Sequence, residues 1–203
     1  MARVRLIEHD EKYAERLLAL SSHIEIQRAL GLYVKTRADI LAYICQMREQ
    51  EQQGKVVSRV ILNEHAEPIG VTTLMLFDHA KKHCHIATWL GRQYWHKGYN
   101  QASKDEILSL AFYELGMKIV FSGIRASNRR SCHSQIKLPY ICLDLAREFP
   151  EVHEMLEAKE GEPCLLNGVM ESDFRLYQAR ASRSNVVEHP RDREVYWPQI
   201  VMA

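Results

Sequence analysis

Between Lys55 and Gly91 the chain changes texture, and that change restricts the folds open to it. "KVVSRVILNE", the turn "HAEP" and "IGVTTLMLF" read as two strands joined by a short polar connection, with "HCHIATWLG" as a third. Helical patterns lie on both sides. Upstream, "VRLIE" alternates as a first strand should, and "DEKYAERLLALSSH" is helical. Thr36 and Asp39 form a T-x-x-D start signal for a second helix, which carries Ile40, Ile44 and Met47 on one face and stops at Gly54. Downstream, 101–115 ("QASKDEILSLAFYEL") predicts a helix ended by Gly116. "KIVFSGIRAS" predicts a strand, "NRRSCHSQIKL" a short helix and "EPCLLNGVMESDF" a last strand. Strands in runs with interspersed helices imply an α/β fold on a mixed sheet, not a bundle or a sandwich.

A chain of 203 residues suits one domain with a sizeable core. We place that domain at 1–178 and read 179–203, which turns polar before "VYWPQIVMA", as a tail or arm. Tyr196 and Trp197 would let that arm pack on the domain or on a partner. The net charge of +1 gives no electrostatic reason to expect nucleic acid as a partner. No apolar run reaches the roughly eighteen residues of a membrane span, and "MARVRLIEHDEKY" lacks a signal-peptide core, so no membrane association is expected. Cys45, Cys84, Cys132, Cys142 and Cys164 are odd in number and scattered, which predicts reduced thiols and a cytoplasmic setting.

The most specific stretch is "YWHKGYNQAS", between the third strand of that run and the helix that follows. A helix N-terminus offers free backbone N–H groups and the positive end of a dipole, which suits a pyrophosphate. Gly98 can adopt positive φ or let the main chain come close, and Lys97 adds positive charge. The competing reading is a solvent loop that merely opens a helix.

The order strand, "YWHKGYNQAS", "AFYELGMKIVFSGIRASN", "NRRSCHSQIKLPY" resembles the GNAT superfamily of N-acetyltransferases, in the branch of ribosomal-protein alanine acetyltransferases. There a strand precedes "YWGKGYATEA", "AF-x-x-L-G", another strand, "N-x-x-S" and "EKLGF". About sixty residues match closely. The resemblance implies the GNAT fold, a mixed, mostly antiparallel twisted sheet splayed between strands 4 and 5 and flanked by helices. It implies acetyl-CoA as cosubstrate, no metal, and direct attack by an amine-bearing acceptor, either a peptide or protein α-amine or a small-molecule amine. A homodimer is common among such proteins.

By the same resemblance, Trp95, His96, Lys97, Gly98, Tyr99, Asn100 and Gln101 form the cofactor loop. Asn128 and Ser131 sit beside the pantetheine arm, although both also make good helix caps. A main-chain N–H near Trp89 or Leu90 is the expected oxyanion donor. His85 stands where many relatives carry a glutamate and is the expected general base, against the alternative of a packed strand histidine. His83 and His85 as an H-x-H metal pair lack completing ligands.

Two residues depart from the pattern in the loop: His96 replaces its first glycine and Asn100 its small residue, which asparagine's tolerance of the left-handed region would accommodate. Gln135 lies where many members have an acidic tyrosine, and Tyr140 reads as core. Trp89, Tyr94 and Trp95 are either packing or lining of an acceptor pocket. Residues 10–54 would wall that pocket, and their mix of Glu15, Glu25, Arg16 and Arg28 indicates neither a polyamine nor a carboxylate substrate. The alternative from another class is a non-catalytic acyl-CoA-binding sensor or interaction module.

Overall fold

Strands β1 (Arg5–Ile7), β2 (Val56–Leu62), β3 (Pro68–Asp78), β4 (His83–Leu90), β5 (Ile119–Arg125) and β6 (Cys164–Met170) form one sheet in chain order. The computed structural model describes residues 2–30 and 34–184. The side chain of Arg28 and the tail residues Tyr196 and Trp197 lie outside the described residues. Every neighbouring pair is antiparallel except β4 and β5, which are parallel and joined only at His83–Ile119, Cys84–Val120 and His85–Phe121. Beyond His85 the two strands separate. The fold expected from the resemblance, a mixed sheet splayed between strands 4 and 5, is the fold observed.

Helices cover both faces. On one lie α4 (Tyr99–Ser109), α5 (Arg129–Ile136) and α7 (Glu171–Ser184). There Leu74 and Ile86 of the sheet pack with Ile107, Leu108 and Phe174. On the other lie α1 (Ala14–Ser21), α3 (Arg37–Gln52) and α6 (Pro150–Glu160), with the short α2 (Ile24–Leu30) between α1 and α3 in sequence. Leu17, Ile40 and Ile44 meet Val60, Leu62 and Val71 on that face, while Val152 of α6 meets Phe121. The period-2 alternation of β2 to β4 thus feeds two apolar layers, which is why these strands carry so few charges.

The predicted cap of α3 is present. Thr36 Oγ1 accepts from the Asp39 N–H while the Asp39 carboxylate accepts from the Thr36 N–H. Gly54 lies just beyond the helix with φ 69°. The helix expected at 101–115 starts two residues earlier, at Tyr99, and its last turn, Leu110–Glu114, widens into a π turn. The sequence reading lacked α6 and α7 altogether. α7 runs through residue 179, across the point where the composition turns polar.

Candidate active site

Where β4 and β5 part, a cleft of about 1030 Å³ passes between them and reaches both faces of the sheet. The β3–β4 register decides which main-chain groups of β4 face the gap. Gly91 N–H bonds to Ile69 C=O (2.8 Å), and the register runs unshifted from Gly70–Leu90 to Met75–His85. Alternate residues of an antiparallel ladder bond to the same neighbour. The N–H groups of Trp89 and Ala87 therefore turn to β3, and those of Leu90 and Thr88 turn to the open side. Of the two expected oxyanion donors, this register leaves Leu90 and removes the Trp89 N–H.

On the α4 face, the loop from Gly91 delivers the chain to the helix through two left-handed residues, His96 (φ 61°) and Gly98 (φ 85°). His96 itself takes the conformation for which a glycine is usual, and its side chain is exposed. Asn100 is helical, so its tolerance of left-handed φ is not used; its Nδ2 donates to Ser134 Oγ of α5 (3.0 Å). No side chain caps α4, and its first bond is from Ala102 N–H to Gly98 C=O (3.1 Å). The preceding N–H groups, of Tyr99, Asn100 and Gln101, are the orphan donors of the first turn.

Of the residues expected around the cofactor, Trp89, Leu90, Trp95, His96, Gly98, Asn100, Gln101, Asn128 and Ser131 all line the cleft. Lys97 and Tyr99 do not. Lys97 is exposed outside the lining, and Tyr99 turns inward, donating its hydroxyl to Glu64 (2.9 Å) and meeting Tyr94 edge-on. Trp95 Nε1–H donates to Leu90 C=O (2.8 Å), and the Arg130 guanidinium stacks on its ring at 3.7 Å. Asn128 caps α5, its Oδ1 accepting from Ser131 N–H (3.2 Å).

Sequence reasoning missed the charge of this lining. Among the described residues, Lys104, Arg125, Arg130, Lys137 and Lys159 border the cleft, against the one carboxylate of Glu160. Glu160 in turn accepts from Arg125 Nε (2.7 Å). Lys104 is 7% exposed and reaches only Thr88 Oγ1, at 3.5 Å; burial lowers its pKa to about 8. A buried ammonium without a carboxylate, beside free N–H groups at a helix start, fits an anionic ligand such as the pyrophosphate of acetyl-CoA.

On the opposite face stands His85, 6% exposed, between Met75 and Phe121. Its Nε2 is buried without a hydrogen-bond partner. Burial, then His83 and Lys159, lowers its pKa to about 4, well below the ordinary value that the sequence reading assumed. His83 leans on the same Phe121 ring, with Nε2 3.9 Å from Asp78. Among the described residues no group of three or more His, Cys, Asp or Glu could hold a metal ion. Gln135, buried, donates to Ser122 Oγ (2.6 Å) and accepts from Asn167 (2.8 Å). Tyr140 is core: 3% exposed, its hydroxyl is spent on Asp105 (2.7 Å).

Residues 3–138 match the family model of the acetyltransferase (GNAT) domain. No curated protein sequence matches the chain. Among solved structures, the microcin C7 self immunity acetyltransferase MccE, in complex with acetyl-CoA and AMP, is 22% identical over 70% of this chain and 80% of its own, with a TM-score of 0.61. Apo FdhC, a nucleotide-linked sugar GNAT, is 15% identical over 90% of this chain and 95% of its own, at 0.68. RimL, a ribosomal L7/L12 alpha-N-protein acetyltransferase, is 16% identical over 70% of this chain and 78% of its own, at 0.60. With the splayed sheet and the loop before α4 in place, the family model's span settles the matter: the chain belongs to the GNAT acetyltransferase family.

Proposed function

We propose that the protein moves an acetyl group from acetyl-CoA to a primary amine by direct attack. The observation that carries this is the passage through the sheet between β4 and β5. Features suited to an anion line one face of it, and His85, whose Nε2 has no hydrogen-bond partner, lines the other. Acetyl-CoA supplies the activated acetyl group and a thiolate that leaves without obligatory protonation.

The protein's own groups do the rest. The first turn of α4, Lys104 and Arg130 hold the anionic end. The Leu90 N–H faces the gap and is placed to meet negative charge on the carbonyl oxygen. His85, neutral throughout the physiological range, takes the proton that the amine gives up as its nitrogen bonds to carbon. Neither Gln135, committed to Ser122 and Asn167, nor Tyr140, committed to Asp105, is a free acid for the departing sulfur.

His85→Ala tests this. The expected outcome is a loss of about 100-fold in kcat with an unchanged Kd for acetyl-CoA. Unchanged turnover would remove His85 as the base. The low pKa of His85 and the glutamine in place of a tyrosine favour one second reading, a non-catalytic acyl-CoA-binding module. It predicts acetyl-CoA binding with no thiol release for any amine.

A further inference from the structure

The wall of the cleft on the His85 face is largely apolar, with Gln50, Thr73, Lys159 and Glu160 as its polar members, and its apolar side chains come from three elements. α3 contributes Tyr43 and Met47, one turn apart; β3 contributes Met75 and Leu76; α6 contributes Met155 and Leu156. Met75 stands opposite His85 in the ladder. Leu156 closes on β5 at Gly123, where an added Cβ would lie 2.5 Å from its Cδ2. Methionine adapts its shape to what it contacts, so this wall can follow ligands of different outline.

Two of these side chains are held where an apolar group is costly. Leu76 is 45% exposed and Met155 50%. Leu76 also has φ 54°, in the left-handed region that a residue with a Cβ rarely occupies. It lies in the irregularity where the β3–β4 register shifts between Met75 and Asp78. Such a bulge re-aims a side chain, and local strain of this kind concentrates at functional sites.

Charge limits the ligand further. On the His85 face the charged lining residues are Lys159, Arg125 and Glu160, and Arg125 Nε already holds the Glu160 carboxylate at 2.7 Å. Lys159 is close enough to His85 to help lower its pKa. A second ammonium on the acceptor would meet Lys159 and, among the described lining residues, no carboxylate other than the one paired with Arg125.

Resting on the acyltransfer reading above, we infer that the acceptor is a monoamine bearing an apolar group of amino-acid side-chain size next to its nitrogen. A hydrophobic N-terminal residue of a peptide and a free alkylamine or arylalkylamine share that chemistry. The apolar group lies along Met47, Met75 and Met155, and the nitrogen stands at His85.

The test is calorimetric titration of the full chain, saturated with CoA, using n-propylamine to n-hexylamine, phenethylamine, a methionyl peptide amide and spermidine. Affinity should rise about two- to fourfold per methylene. Hexylamine or the methionyl peptide should bind at least tenfold more tightly than spermidine, and the tighter of the two names the source. Replacing both Leu76→Glu and Met155→Glu should flatten the series and bring spermidine level with hexylamine. An affinity flat in chain length, spermidine binding tightest in the wild type, or no binding by any amine would overturn the inference. Thiol release from acetyl-CoA is followed separately. Amines that bind in the expected order without releasing thiol would leave the acceptor class standing and sink the transfer reading.

Discussion

His9 and His85 share an unusual state. Burial lowers both to about 4, assisted by Arg59 and Arg48 at His9 and by His83 and Lys159 at His85. In the unfolded chain both would titrate near ~6.5. As pH falls below that value, the unfolded chain takes up protons that the folded one refuses, so stability drops between pH 6.5 and about 4. From pH 7 to pH 5 each histidine should cost about 2 kcal/mol. Urea melts at the two pH values should show this loss, and His85→Gln should recover close to half of it; an identical loss in the variant would contradict the assignment. In catalysis, kcat/KM should show no histidine limb between pH 6 and 7. Lys104 behaves oppositely in range. Its pKa, lowered by burial to about 8, lies below its unfolded value, so stability should rise as pH climbs from 8 towards 10.5. Lys104→Met should abolish that rise and weaken acetyl-CoA binding; tight binding in the variant would mean that the ammonium serves no ligand.

Two helix starts separate architecture from ligand binding. Thr36→Ala removes the capping box of α3, and Gly98→Ala forces a Cβ into φ 85° at the start of α4. Each should cost about 1 kcal/mol in denaturant melts. Only Gly98→Ala should also weaken acetyl-CoA, because Thr36 does not border the cleft. The same elements explain what could be read from sequence. Thr36–Asp39 and the alternation of β2 to β4 are local signals, and both were legible. α6 carried start and stop signals in Pro150 and Gly161 that went unread, because its apolar residues make no clean stripe. α7 hid in a polar run where, among its described side chains, Phe174, fully buried, and Tyr177 one turn on pack on the hydrophobic core. The loop before α4 was legible as a motif. Its charged surroundings were not, since Lys104 of α4, Arg130 of α5 and Lys137 just after α5 are far apart in sequence and vanish into a net charge of +1. The apolar wall from α6 likewise depends on tertiary placement that no local pattern encodes.

At the scale of the molecule, one topological fact organises the rest: the parallel β4–β5 pair lets go after three residue pairs, and the opening joins the two faces of the sheet. α4 and α5 make one mouth basic, while α3, β3 and α6 line the other mostly with apolar side chains around His85. Among the described residues no helix is long and apolar enough to cross a membrane. The account stands or falls on acetyl-CoA entering that opening. The most direct test is a thermal melt of the full chain with and without acetyl-CoA, with ATP and NAD as controls. At about one hundred times its Kd a ligand stabilises by ~2.7 kcal/mol, a shift of roughly 5–10 °C for a chain of this size. The account predicts that shift with acetyl-CoA and not with the controls. No shift at saturating acetyl-CoA, or an equal shift with ATP, would contradict it.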